Sequence, residues 1–367
     1  MAYTMEERCR TWLSQADMAS QKMGKLLEIY ISAQSVWEDF SPGMEKALGQ
    51  VTYNILKEKR DPKVVDSVIE AMETLGVCAL FPGDTLYPPL LASIANPPPI
   101  LYALGDPGIL AGRTLAMVGT RTPSRYGFDM AFSLGKELGE NSVTVVSGFA
   151  RGIDTAAQSG CLEGGGKTAA VLGCGLDVIY PSENKDLHRR ILDAGGLFLS
   201  EYSLGSKPAY YHFPDRNRII SGVSHGVALI EGRLKSGGMI TVGHALEQGR
   251  EVFALPGPVN REGAEAPHKL LREGARIITC GQDMLEDMGW EVVKKPHSLE
   301  STSNRHLLPG QEKVVELLKR EDLSFEELSQ ALQMDAAQLN SHLTILELAG
   351  IIKKSAGNLY ALAELKS

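Results

Sequence analysis

The stretch that most constrains this chain is residues 115 to 155, LAMVGTRTPSRYGFDMAFSLGKELGENSVTVVSGFARGIDT. An apolar run, Leu115 to Val118, stops at Gly119-Thr120-Arg121. A helical pattern follows (Phe128, Phe132, Leu134, Leu138) and leads to a second β-rich run, Val143 to Val146. That run ends in Ser147-Gly148, and Phe149-Ala150-Arg151-Gly152-Ile153-Asp154 opens another helix. Strand, turn, helix, strand, turn, helix is the βαβα order of a parallel sheet. Gly119 and Gly148 then fall where strands hand over to helices, the edge at which doubly wound folds hold ligands.

The two turns suit an anion. Glycine lets the backbone approach closely, and the amides of a helix N-terminus point outward toward a phosphate. Arg121 adds a planar, two-pronged cation beside the first turn. Neither turn is G-x-G-x-x-G or G-x-x-x-x-G-K-[ST], so ordinary dinucleotide or nucleoside-triphosphate binding is not indicated.

The alternation continues to about residue 290. Further β-rich runs are Ala169 to Leu172, Leu197 to Leu199, Val227 to Ile230, Glu251 to Leu255 and Arg276 to Ile278. The expectation is an extended, Rossmann-like, mostly parallel sheet of about seven strands with helices on both faces. Before it, residues 1–78 read as a small helical domain, with apolar stripes at Leu26, Leu27, Ile29, Tyr30 and at Val64, Val65, Val68, Ile69, Met72. Residues 79–112 are proline-rich, and Ile100 to Leu104 reads as an additional edge strand; the sheet domain with this lead-in spans 79–290.

Residues 291–308 are polar and aperiodic, a linker. Gln311 to Lys319, Ser324 to Leu332 and Ala336 to Leu348 read as three amphipathic helices, the second opened by the capping box Ser324-Phe325-Glu326-Glu327. A hairpin over Ile351 to Lys354, Ala356-Gly357-Asn358 and Leu359 to Leu362 completes a winged helix over 309–367. From 307 to 367 there are six Lys/Arg against nine Asp/Glu, a net of −3, and Ala336 to Leu348 holds neither Lys nor Arg. Neutralising phosphates supplies most non-specific DNA affinity, so this domain is read as a protein-interaction module.

Composition bounds the chemistry. The five cysteines are scattered without C-x-x-C spacing, as in reduced cytoplasmic proteins, and the eight histidines show no metal-ligand spacing. No stretch is long enough to span a bilayer. The net charge of −8 argues against a protein coated in nucleic acid but not against a local basic groove. Cations do gather near the turns: Arg121, Arg125, Arg151, Lys207, Arg216, Arg218, Arg233 and Lys235, with aromatics interleaved in Tyr210-Tyr211-His212-Phe213-Pro214-Asp215-Arg216-Asn217-Arg218. Cations that track a backbone and rings that stack on bases are how proteins hold single-stranded nucleic acid.

Val118-Gly119-Thr120-Arg121 with Tyr126-Gly127, and Ser147-Gly148-Phe149-Ala150-Arg151-Gly152-Ile153-Asp154, resemble the DprA/Smf family of DNA-processing proteins. So do Tyr180-Pro181, Ser200-Glu201, Phe213 to Ile220, Ser236-Gly237-Gly238-Met239-Ile240-Thr241 and Gly249 to Gly257, all in the family's order. The resemblance implies a single-stranded DNA binder that delivers DNA to the RecA recombinase in natural transformation and shields it from nucleases. It implies no reaction, no cofactor, a cytoplasmic location and a homodimer formed through the sheet domain. The candidate DNA- and phosphate-binding residues are Gly119, Thr120, Arg121, Ser147, Gly148, Arg151, Lys207, Phe213, Arg216, Asn217, Arg218, Ser236 and Gly237. Asn217 is expected to hold its loop as well. Two departures stand out: Gln158 replaces the family's histidine in the helix after Asp154, and Ala266 to Leu271 replaces Gly-x-Asn-x-Leu-Ile near the surface used for dimer contacts.

Two other readings share these turns. A sensor of a small nucleotide would use the same phosphate sites. The sheet also distantly resembles cytokinin-activating phosphoribohydrolases, whose P-G-G-x-G-T-x-x-E motif aligns with Ser236 to Thr241. There a glutamate assists glycosidic cleavage, whereas His244 stands at that place here.

Overall fold

A nine-stranded sheet runs through the larger of two units, Met1–Val293; the second unit is Lys294–Ser367. The computed structural model describes residues 3–18, 20–292, 308–348, 351–354 and 359–362. The strands are β1 (Val77–Leu80), β2 (Leu101–Gly105), β3 (Thr114–Val118), β4 (Thr144–Ser147), β5 (Thr168–Val171), β6 (Leu197–Ser200), β7 (Gly226–Leu229), β8 (Glu251–Ala254) and β9 (Arg276–Ile277). Their spatial order is β1-β2-β6-β5-β4-β3-β7-β8-β9. From β6 to β9 every pairing is parallel; β1 and β2 join antiparallel at one end.

All seven strands expected from the apolar runs are present, within a residue or so. The run at Ile100 to Leu104 is also a strand, but not an edge: β2 lies between β6 and β1. Strand β1, unforeseen, straddles the expected boundary at residue 78, so helices give way to sheet at Leu75. The central strands β3 to β7 are buried along their whole length, the mark of a parallel sheet covered on both faces.

Among the described residues, six α-helices precede the sheet: α1 (Met5–Ser14), α2 (Ser20–Tyr30), α3 (Ala33–Glu38), α4 (Glu45–Leu48), α5 (Gln50–Glu58) and α6 (Pro62–Leu75). They close over Trp12, Leu13, Val36 and Leu56, all essentially inaccessible to solvent. After a single turn, α7 (Pro89–Ala92), the sheet carries α8 (Arg125–Glu140), α9 (Ile153–Glu163), α10 (Lys185–Asp193), α11 (His212–Gly222), α12 (Gly237–Glu247), α13 (Glu265–Arg272) and α14 (Gly281–Asp287). One core layer gathers Leu115, Met117, Leu134, Leu138, Ile153 and Phe253; the opposite layer gathers Val118, Leu199, Ile219, Val227 and Val242.

The chain leaves β3 toward β4, β5 and β6 on one side, then returns to place β7 on β3's other flank. That reversal puts the topological switch point at the carboxyl end of β3, beside Gly119.

The second unit holds α15 (Pro309–Leu318), α16 (Phe325–Leu332), α17 (Ala336–Leu348) and a three-stranded sheet, β10 (Leu323–Ser324), β11 (Ile352–Lys354) and β12 (Leu359–Leu362), ordered β10-β12-β11. Three helices and this sheet are a winged helix. The capping box read from the sequence forms: the Glu327 amide donates to Ser324 Oγ at 3.3 Å, and the Ser324 amide donates to Glu327 Oε2 at 2.8 Å. Residues 293–307 of the expected linker (291–308) and the expected hairpin tip Ala356-Gly357-Asn358 lie outside the described residues.

Candidate nucleic-acid interface

Parallel pairing brings the carboxyl ends of β3, β4, β5 and β7 to one sheet edge, so the turns at Gly119, Gly148, Gly173 and Glu231 are neighbours. The second turn is the most tightly specified. Phe149 is fully buried yet sits at φ +58°, a left-handed conformation costing about 1–3 kcal/mol outside glycine. Its surroundings hold it there: Asn184 Nδ2 donates to the Phe149 carbonyl at 2.9 Å, and the ring meets Phe198 edge-on at 5.3 Å.

Asp154, at the start of α9, reaches back under this turn. Its Oδ2 accepts from the amides of Gly148 at 2.9 Å and Ala150 at 3.3 Å. From the other side Arg216 Nη1 donates to the Gly148 carbonyl at 2.9 Å and to the Val171 carbonyl. Gly148 is wedged between the two: an added Cβ would lie 2.7 Å from Arg216 Nη2 and 2.9 Å from Asp154 Oδ2. Burial pulls Arg216 down to about 10 and pushes Asp154 above the ordinary carboxylate range, while each charge opposes the other's shift.

Arg216 therefore requires a correction. Expected to face an anionic groove, it is 4% exposed and its guanidinium is committed to carbonyls inside the wall. The cause lies in α11, whose 216 position turns toward the sheet. Ser147 is likewise fully buried, its hydroxyl donating to the Met117 carbonyl at 2.7 Å. Asn217, 8% exposed, donates from Nδ2 to the Gly237 carbonyl at 3.3 Å and ties α11 to α12. Arg218 is paired with Glu201 at 2.5 Å, with only 12% of its side chain exposed.

Other candidates face outward. Arg121 and Lys207 are exposed, and Arg151 is exposed in an ion pair with Glu183. The Arg121 guanidinium lies over the Phe213 ring, 5.4 Å from its centroid. Phe213 is half-buried: Arg216 approaches it from within, 6.0 Å from the centroid, and Tyr180, 42% exposed, meets it at 5.7 Å. The α12 N-terminus presents exposed Gly237, while the hydroxyl of half-buried Ser236 beside it is itself buried and has no hydrogen-bond partner among the described residues. The edge thus offers a cation, two rings and free helix-terminal amides around a rigid turn.

Sequence reasoning missed two organisers. Asp154 was seen only within a motif. Glu231 accepts at its carbonyl from the Thr120 amide at 2.7 Å, and at its carboxylate from the Ser124 amide (3.1 Å) and hydroxyl (2.7 Å). Gly127 admits that carboxylate, since a Cβ there would collide with Oε2. Glu231 fixes the first turn from both ends. Its signal was its place directly after the β7 run, level with Gly119.

Comparison with known proteins settles the lineage. Residues 79–289 match the model of the family described as DNA recombination-mediator protein A, and residues 299–358 match the DprA winged helix domain. The chain belongs to this family. Among its relatives are Protein Smf of Escherichia coli, 41% identical over 61% of this chain and 60% of that protein, and DNA processing protein DprA of Streptococcus pneumoniae, 43% identical over 56% and 72%. The chain thus spans less than two thirds of the Escherichia coli relative it matches. In structure it is similar to DprA of Streptococcus pneumoniae (TM-score 0.64, 33% identity, 78% of this chain and 99% of that one). It is also similar to DNA processing protein A of Helicobacter pylori (TM-score 0.51, 31% identity, 58% and 95%), whose structure gives insight into that protein's single-stranded DNA binding mode. The family's N-terminal match begins at residue 79, so α1 to α6 lie outside it.

Proposed function

We propose that this protein holds single-stranded DNA along the carboxyl edge of its parallel sheet, shields it, and passes it to the RecA recombinase. The observation that carries the reading is the exposed Arg121 guanidinium over the accessible Phe213 ring, next to the rigid Gly148 turn. A cation for the phosphate and a ring for the base, side by side, fit a strand whose bases are unpaired. Arg121, Gly119, Thr120, Lys207, Phe213, Arg151, Ser236 and Gly237 make the contacts; Ser147, Gly148, Asn217, Arg216 and Arg218 shape the surface that bears them. The single-stranded DNA binding of the Helicobacter pylori relative and the family's description as a recombination mediator support this reading.

The role is binding without catalysis. His244, not a carboxylate, stands where the phosphoribohydrolases carry their glutamate. A homodimer forms through the sheet unit, whose end strand β9 leaves one edge without a partner strand among the described residues and carries Ile277 at 58% exposure. Work on DNA places the protein in the cytoplasm; no helix among the described residues is long and apolar enough to cross a membrane.

The test is a competition assay with a labelled single-stranded oligonucleotide, against unlabelled single strand, matching duplex and mononucleotide. Single strand should displace the label at far lower concentration than either rival. Equal displacement by mononucleotide would instead favour a nucleotide sensor.

A further inference from the structure

We infer that Asp17 and Ser20, in the helical segment outside the family match, are positioning residues for the loop that presents Lys207, Tyr210 and Tyr211 to DNA. The inference rests on the strand-binding reading above. The loop runs from Glu201, after β6, to Tyr211, before α11. Its outer half is exposed, Tyr210 at 86% and Tyr211 at 55%. A loop this open places its cation and rings only as well as its base is held.

The base is held from three sides. Within the sheet unit, the Gly175 amide donates to the Ser206 carbonyl at 2.9 Å, and the Gly205 amide donates to Asp177 Oδ1 at 2.9 Å. From α11, Arg218 pairs with Glu201 at 2.5 Å. The third side is the N-terminal helical segment. Ser206 Oγ donates to Asp17 Oδ2 at 3.0 Å, and Ser20 Oγ donates to Glu201 Oε2, the oxygen that also takes Arg218. Ser206 immediately precedes Lys207. Asp17 stands at φ +44°, a conformation that aspartate and asparagine tolerate better than other side chains, at the turn after α1.

The segment that carries Asp17 and Ser20 is itself anchored on the sheet unit. Ser14 Oγ and Tyr102 Oη share a buried hydrogen bond of 2.5 Å, and Arg10 Nη1 donates to the Pro99 carbonyl at 3.2 Å. Asp17 and Ser20 therefore grip the loop from a fixed support.

The experiment compares the full chain with Asp17→Ala/Ser20→Ala and with Asp17→Asn. Hydrogen exchange is followed over 202–211, and affinity for single-stranded oligothymidylate is measured at two salt concentrations. The double alanine variant should exchange faster over 202–211 and bind about fivefold more weakly, since hydrogen bonds to charged groups are lost. Its salt slope should fall by about 0.7 as Lys207 leaves its phosphate. An asparagine side chain keeps an acceptor and tolerates the left-handed turn, so Asp17→Asn should match the unaltered chain in both readouts. Unchanged exchange in the double variant, or faster exchange with affinity and slope untouched, would overturn the inference. If the unaltered chain fails to bind the oligonucleotide, the strand-binding reading falls, and exchange alone decides whether Asp17 and Ser20 hold the loop.

Discussion

The guanidinium of Arg121 lies over the ring of Phe213, 5.4 Å from centre to centroid, on a surface where both stay accessible. Tyr180, Arg216 and Gly173 also border the ring, and Phe213 is only half-buried. Phe213→Ala should therefore weaken strand binding by about 1–3 kcal/mol, the worth of one stacked base. Its melting temperature should fall far less than for a core phenylalanine, whose loss costs about 3–5 kcal/mol. Titration of an oligonucleotide alongside thermal melting separates the two effects.

Arg216 should behave in the opposite way. It is buried against the Gly148 and Val171 carbonyls with Asp154 as its opposing charge, so Arg216→Ala leaves that carboxylate uncompensated. Leaving the buried Gly148 and Val171 carbonyls without their donor costs about 1–3 kcal/mol of stability each. Chemical denaturation should show this loss. A variant as stable as the parent but defective in binding would return Arg216 to the groove.

Acid should weaken the fold through two histidines. His188 stacks on Phe198 at 4.3 Å, His225 accepts from Thr114 at its ring nitrogen, and burial lowers the pKa of both. A depressed folded-state pKa means that the stabilisation is complete above the unfolded value, about 6.5, and is lost as pH falls below it. The melting temperature should hold above about pH 6.5 and drop as pH falls below that unfolded value toward the lower folded-state pKa, and His188→Phe should flatten the drop. A melting temperature that holds steady across this range would contradict the assignment.

The winged helix should be dispensable for holding DNA. Helix α17 carries no Lys or Arg, and residues 307 to 367 are net −3. A chain ending at residue 292 keeps the whole sheet and should bind a single strand as tightly as the full chain, or slightly more tightly at low salt. A tenfold loss on truncation would show that this unit contacts phosphates and is not only a protein-interaction module.

The sheet was legible because buried parallel strands write themselves as apolar runs bounded by glycines, and the runs from β3 to β8 obey that rule. Strand β1 did not, because Val77–Leu80 follows directly on the α6 stripe, with only Gly76 between them. The site was legible in its turns and less so in its charges. A sequence shows that Arg216 and Arg218 flank Asn217, but not which face of α11 meets the sheet. Only the packing reveals that Arg216 is a wall, Arg218 is paired with Glu201, and Arg121 stays exposed over the Phe213 ring.

The most direct test of the account is the salt dependence of single-strand binding for the protein and for Arg121→Ala. If Arg121 holds a phosphate beside Phe213, the slope of log affinity against log salt should shrink by about 0.7, the share of one contact on a single strand. The melting temperature should stay nearly unchanged, since an exposed cation contributes little to folding. Identical slopes for the two proteins would contradict the claim that the strand lies on this edge of the sheet.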